Sequence, residues 1–154
     1  MRILIDTNIL VDYFRSRRGS RPKNQRQSYC CQKAVEFIDQ LIEHGEELLI
    51  SCHTFKELLQ YKNISTQEEQ RILENLPLMC DILDTNKEVA HIAGLLSRQS
   101  SEYRDHHIED CYIAATAIAY KLPLYTRNPG DFKYVPHSAL EIVVPYQYRI
   151  SETL

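Results

Sequence analysis

The stretch Ile3-Leu4-Ile5-Asp6-Thr7-Asn8 decides how the chain is read. Three consecutive apolar residues followed at once by an acid describe a short strand covered on both faces, with a carboxylate just past its end. The same pattern recurs. Leu48–Ile50 is followed by Ser51-Cys52-His53-Thr54-Phe55-Lys56-Glu57, and Leu124–Thr126 leads into Arg127-Asn128-Pro129-Gly130-Asp131-Phe132. Cys80–Leu83 and Ile142–Val144 supply two more runs. These runs are continuously apolar rather than alternating, which predicts a mostly parallel sheet of four to five strands in an α/β fold.

Helical patterns separate the strands. Val35, Ile38, Leu41 and Ile42 mark a helix ending near Gly45, and Phe55, Leu58 and Leu59 mark a second. Ile72, Leu73 and Leu76 mark a third, expected to stop at Pro77, and Val89, Ile92, Ala93 and Leu96 a fourth. Ser65-x-x-Glu68 and Thr85-x-x-Glu88 both fit a capping box. The alanine-rich segment from Asp110 to Lys121 predicts a helix that approaches its sheet closely.

At 154 residues, with no internal repeat and no linker, the chain suits one domain over 1–154. No apolar run reaches the roughly 20 residues that span a bilayer, and no signal-peptide pattern is present. Five cysteines without CxxC spacing are expected to be reduced thiols in a cytoplasmic protein. The net charge of −3 hides an asymmetry. Arg15, Arg17, Arg18, Arg21, Lys23 and Arg26 give +6 within a segment free of acids, expected as a basic loop or insertion over 15–28. Elsewhere 12 basic residues face 21 acidic ones, or −9. Such a segment suits a polyanionic partner or an acidic protein surface, and equally a solvated loop. Tyr13 and Tyr29 flank it, placed either to stack on bases or to pack.

In open parallel sheets, sites form beyond the carboxyl ends of the strands. Asp6, Glu57 and Asp131 follow strands, and Asp110 opens the helix before the fourth strand. Each has an ordinary structural role available: Asp6 as a helix cap, Glu57 as the partner of Thr54 in a capping box, Asp110 as a first-turn acid, Asp131 as a turn residue. Taken together they predict a cleft of carboxylates, whose mutual repulsion calls for a divalent cation.

Four segments carry a specific likeness. Asp6-Thr7-Asn8 after an N-terminal strand resembles the first motif of PIN-domain nucleases, and Ser51-x-x-Thr54-x-x-Glu57-Leu58 the second. Asp110-Cys111-Tyr112-Ile113-Ala114-Ala115-Thr116-Ala117 resembles the third, and Leu122 to Phe132 the fourth. The match runs in order over about residues 2–144. Size and motif detail are most similar to the toxins of VapC-type toxin–antitoxin modules. The resemblance implies a metal-dependent endoribonuclease (a hydrolase using Mg2+ or Mn2+), with Asp6, Glu57, Asp110 and Asp131 as catalytic and metal-holding residues. It implies Asp6 and Asp110 as direct ligands, Asp131 as a ligand through water or an orienter of the nucleophile, and Glu57 near a second ion or a metal-bound water. Thr7, Asn8, Thr126 and Asn128 are implied as the hydrogen-bonding shell, with Thr126 and Asn128 holding Asp131. An RNA substrate, a small antitoxin and a homodimer follow as partners.

Two other functions remain compatible with the sequence: a stand-alone RNA-processing PIN nuclease, and a non-catalytic binding module with an acidic cation-binding cleft. A phosphatase of the haloacid-dehalogenase type needs a second acid two residues after Asp6, where Asn8 stands. No histidine is assigned to the metal, because an oxygen-rich site for a hard cation does not require imidazole.

Overall fold

The computed structural model describes residues 1–17, 21–136 and 138–149. One five-stranded sheet lies at its centre, with β1 (Arg2–Ile5), β2 (Glu47–Ser51), β3 (Cys80–Leu83), β4 (Leu124–Tyr125) and β5 (Ile142–Val143) in the order β3-β2-β1-β4-β5. Every pairing is parallel. β1 occupies the middle, with Leu4 in register with both Leu49 and Leu124. All five expected strands are therefore present, in an α/β architecture.

The pleat divides the apolar runs between two cores. Ile3, Ile5, Leu48 and Ile50 point to one face, where they meet α1 (Thr7–Ser16), α2 (Gln25–Glu43) and α4 (Thr66–Met79). Leu4 and Leu49 point to the other, against α5 (Lys87–Gln99) and α6 (Ile108–Tyr120). Side chains that must be apolar on both sides leave no room for alternation, which is why β1 and β2 read as unbroken runs. Ala114, Ala115 and Ala117 of α6 are almost wholly buried, since only small side chains let that helix sit close. The remaining helix, α3 (Cys52–Leu59), starts directly at the end of β2.

Several local expectations need correction. α4 runs through Pro77 to Met79, giving up the amide hydrogen bond that Pro77 cannot make to the Leu73 carbonyl, with only two helical residues beyond it. Ser65 caps α4 as expected, its Oγ accepting from the Glu68 amide at 3.0 Å. α5, however, is capped by Asn86, which accepts from the Val89 amide at 2.9 Å, and Thr85 is left for another use. The basic segment is not a loop throughout 15–28. Arg15 belongs to α1, and Arg26 lies in the first turn of α2 behind the cap of Asn24. Arg18 lies outside the described residues. A π-helical turn, Glu102–His106, and a 3-10 turn, Pro129–Phe132, complete the chain around the sheet's carboxyl edge.

Candidate active site

The strand order reverses between β1 and β4, and a crevice opens at their carboxyl ends, the place where parallel sheets bind ligands. Asp6 leaves β1 there and Thr126 leaves β4 beside it. The crevice is a cleft of about 430 Å³, and Asp6, Glu57, Asp110 and Asp131 all line it, along with Arg15 and Arg127. Four carboxylates from four separate parts of the chain thus share one cleft.

Asp6 is the most constrained of them, buried at 3% exposure. Its Oδ1 accepts the amide of Thr7 at 2.8 Å, capping α1. Its Oδ2 accepts the Thr126 hydroxyl at 2.8 Å and the Asn8 amide at 3.1 Å. The Thr7 hydroxyl donates to Glu57 Oε1 at 2.7 Å and lies 3.0 Å from the Thr54 hydroxyl. Thr54 therefore serves this contact rather than a capping box; α3 is capped by Ser51, whose Oγ accepts from the His53 amide. Thr126 grips Asp6, not Asp131. Its hydroxyl oxygen also accepts the amide of Asn128 at 3.0 Å, while the Asn128 carbonyl accepts the amide of Asp131 at 3.1 Å. The buried Tyr103 hydroxyl ties down the Asp131 carbonyl at 3.0 Å, so the π-helical turn braces the fourth carboxylate.

This crowding shows in the carboxyl groups. Burial, opposed by hydrogen bonds from Thr126 and Thr7 and reinforced by Glu57 and Asp131, raises the Asp6 pKa to about 6. Burial and then the charges of Asp6, Asp131, Glu57 and Glu109 push Asp110 up to about 8. Glu57 is raised as well, chiefly by burial, against the Thr7 hydrogen bond. The acids face one another across the cleft without having closed on it. Among the described residues, no three Asp, Glu, His or Cys side chains are gathered tightly enough to form a finished metal cage.

A domain sequence profile, that of the PIN domain, matches residues 31–137. The ribonuclease VapC1 of Methanocaldococcus jannaschii is 30% identical over 141 residues, which cover 92% of this chain and 86% of the relative. The chain belongs to the PIN-domain family. A toxin–antitoxin complex from Klebsiella pneumoniae superposes with a TM-score of 0.63 at 28% identity, covering 95% of this chain and 99% of that one. VapBC-1 from nontypeable Haemophilus influenzae gives 0.68 at 18% identity, over 94% and 98% of the two chains, and speaks for the fold alone. Within the PIN-domain family the likeness is to VapC-type proteins. Glu57, Asp110 and Asp131 fall inside the span matched by the profile, and Asp6 precedes it.

Sequence reasoning missed part of this PIN domain's site. Arg127 reaches back to Asp12 of α1, its Nε donating to Asp12 Oδ2 at 2.6 Å and its Nη2 to Oδ1 at 3.3 Å. The Tyr146 hydroxyl donates to the same Oδ2 at 2.8 Å. Asp12 is 1% exposed, and the available signal was an acid within the apolar stripe Ile9, Leu10, Tyr13 and Phe14, which demands a buried cation. His107 also lines the cleft, with Nδ1 3.7 Å from Asp110 Oδ2. Behind the cleft, His53 Nδ1 lies 2.6 Å from Glu109 Oε2 and Nε2 lies 2.9 Å from the Thr85 hydroxyl. The imidazole stacks on Tyr112 at 4.2 Å between centroids, fastening α3 to α6. Tyr13 and Tyr29 pack, against Phe14 and Tyr148 respectively.

Proposed function

We propose that the protein is a divalent-cation-dependent endoribonuclease hydrolysing RNA phosphodiester bonds, and the toxin of a toxin–antitoxin pair. The observation that carries this reading is the convergence of Asp6, Glu57, Asp110 and Asp131 on one cleft, with two of the acids held well above their ordinary pKa. Carboxylates that raise one another's pKa form a site that a cation relieves. The donor set is oxygen only, which fits Mg2+ or Mn2+. A cleft of about 430 Å³ lined by four carboxylates leaves room for a cation that keeps several of its waters, as Mg2+ does.

Asp6 and Asp110 would hold the ion directly. Glu57, its Oε1 fixed by Thr7, and Asp131, its backbone fixed by Tyr103 and Asn128, would act through water. When bound there, a divalent cation would supply Lewis acidity, polarising a phosphate oxygen, making a water more acidic and offsetting charge on a departing oxygen. The residues supply alignment and take up the proton. Asp131 would orient the water and accept its proton as the water oxygen attacks phosphorus, and the ribose oxygen, its P–O bond broken, would take a proton from solvent water. Thr7, Asn8 and Thr126 keep Asp6 in one rotamer, so the acid is placed before substrate arrives.

A small antitoxin is the partner this reading calls for, because the Klebsiella complex, 28% identical, is a toxin–antitoxin assembly by name. A homodimer and a cytoplasmic location belong to the same reading. Among the described residues, no helix is long and apolar enough to cross a membrane. The decisive assay is cleavage of transfer RNA and other structured RNAs in Mg2+ or Mn2+, against EDTA and against Asp6→Asn. Cleavage that needs both the metal and Asp6 is expected. Metal binding without cleavage of any RNA would leave a cation-binding module. Co-expression with the product of a small neighbouring reading frame should suppress cleavage; an enzyme with no such neighbour would stand alone in RNA processing.

A further inference from the structure

Next to the acidic cleft lies a second, smaller pocket of about 150 Å³ whose chemistry is the reverse. Arg15, Arg26 and Arg127 line it, with Asp12, Asn24 and Gln27. Arg15 and Arg127 line both spaces, so the two pockets share a wall. Three guanidinium groups against one carboxylate leave the small pocket at +2, beside a cleft whose walls carry four acids. The placement follows from the helices. Arg15 stands three residues after Asp12 and four after Val11 on α1, which keeps it on the cleft side. Arg26 is the second residue of α2, so the positive end of a 19-residue helix faces the same space, its first turn capped by Asn24 on the Gln27 amide.

The three arginines differ in how far they are already engaged. Arg127 is anchored by two hydrogen bonds to Asp12 and is thereby held rigid. Neither Arg15 nor Arg26 has an acidic partner among the described residues, and Arg26 lies beside Cys30. Arg17, two residues on, is turned elsewhere. It stacks on Tyr13, donates to its hydroxyl at 2.7 Å, and lines a separate groove with Arg71 and Leu78. Of these three arginines of the basic segment, Arg15 lines both spaces, Arg26 the small pocket alone, and Arg17 neither.

We propose that Arg15, Arg26 and Arg127 form a subsite for a backbone phosphate of the RNA strand, adjacent to the phosphate that reacts. This rests on the nuclease reading above. A cleft of four carboxylates repels a polyanion, and a bound cation compensates at the reacting phosphate only. Forked guanidinium donors beside it give a neighbouring phosphate two-point contacts and fix the direction in which the strand crosses the site. Because the contacts are to phosphate, they add affinity without base preference.

The test measures binding of a fluorescent single-stranded RNA by anisotropy in EDTA, for wild type, Arg15→Gln, Arg26→Gln and a control, Arg98→Gln on α5. Thermal unfolding checks that each variant folds. Arg15→Gln and Arg26→Gln should each weaken binding about tenfold. Each should also flatten the slope of log K against log salt by about 0.7, the loss of one phosphate contact on a single strand, while the control changes neither. With Mn2+, both should raise KM for cleavage while kcat stays near wild type. A single neutral methylphosphonate beside the cut should weaken wild type and add little to the defect of Arg26→Gln. Wild type that cleaves RNA, with both variants binding it at unchanged affinity and slope, would overturn the subsite and spare the nuclease. Lost affinity for an acidic partner protein with RNA binding intact would overturn it in favour of that partner. Wild type that neither binds nor cleaves RNA would remove both readings.

Discussion

Asp6 caps α1 with one oxygen and faces Thr126 and Asn8 with the other, and substitutions separate these duties. Asp6→Asn keeps an acceptor for the Thr7 amide, so the fold should persist while cleavage falls by orders of magnitude. Asp6→Ala should lose cleavage equally and about 1 kcal/mol of stability besides, read by urea denaturation. Asp12 behaves differently. Asp12→Ala leaves the half-buried Arg127 guanidinium unpaired and should cost about 3–5 kcal/mol, whereas Tyr146→Phe removes one hydrogen bond and should cost about 1 kcal/mol. Equal losses for the two would show that the ion pair contributes nothing beyond the tyrosine contact. The four acids of the cleft were legible in the sequence because Asp6 directly follows a strand, Asp110 lies in the first turn of a helix, and Glu57 and Asp131 sit within six residues of a strand's end. Asp12 was not, because its partners lie 115 and 134 residues away and nothing local marks them.

At the scale of elements, β1 and β2 could be read because burial on both faces leaves a signal within each run, while the edge strand β3 keeps a weaker signal, with Asp81 and Ile82 exposed. Ends were harder. Thr85 and Asn86 are both capable caps, and the choice fell to Asn86 because the Thr85 hydroxyl is drawn to His53 and Cys52. The π-helical turn over Glu102–His106 had no sequence signal, since its register is set by Tyr103 reaching Asp131. The seam between α3 and α6 was equally invisible, although these helices carry Glu57 and Asp110. His53 fixes that seam through Glu109, Thr85 and the Tyr112 ring. His53→Ala should cost about 1–3 kcal/mol by denaturation and weaken Mn2+ binding severalfold by calorimetry. Loss of stability with Mn2+ affinity intact would make His53 a packing residue with no hold on the site.

Over the whole molecule the acidic cleft appears as a dependence of stability on pH. A free carboxyl ionises near pH 4, while the folded chain holds Asp6 to about 6 and Asp110 to about 8, with Glu57 also raised. The folded state therefore keeps these protons more tightly than the unfolded one. Their favourable contribution is complete below about pH 4 and is lost as pH rises through 6 and then 8. Metal-free protein in EDTA should melt several degrees lower at pH 8 than at pH 5.5. Mn2+ binds the ionised acids of the folded state, so it should raise the melting temperature at pH 8 and do far less at pH 5.5. Asp110→Asn removes the group most displaced from its ordinary value. It should stabilise the metal-free protein at pH 8 and abolish the rise produced by Mn2+. If Asp110→Asn instead melts like wild type at pH 8 and still responds fully to the ion, Asp110 neither bears the strain of the cleft nor holds its cation.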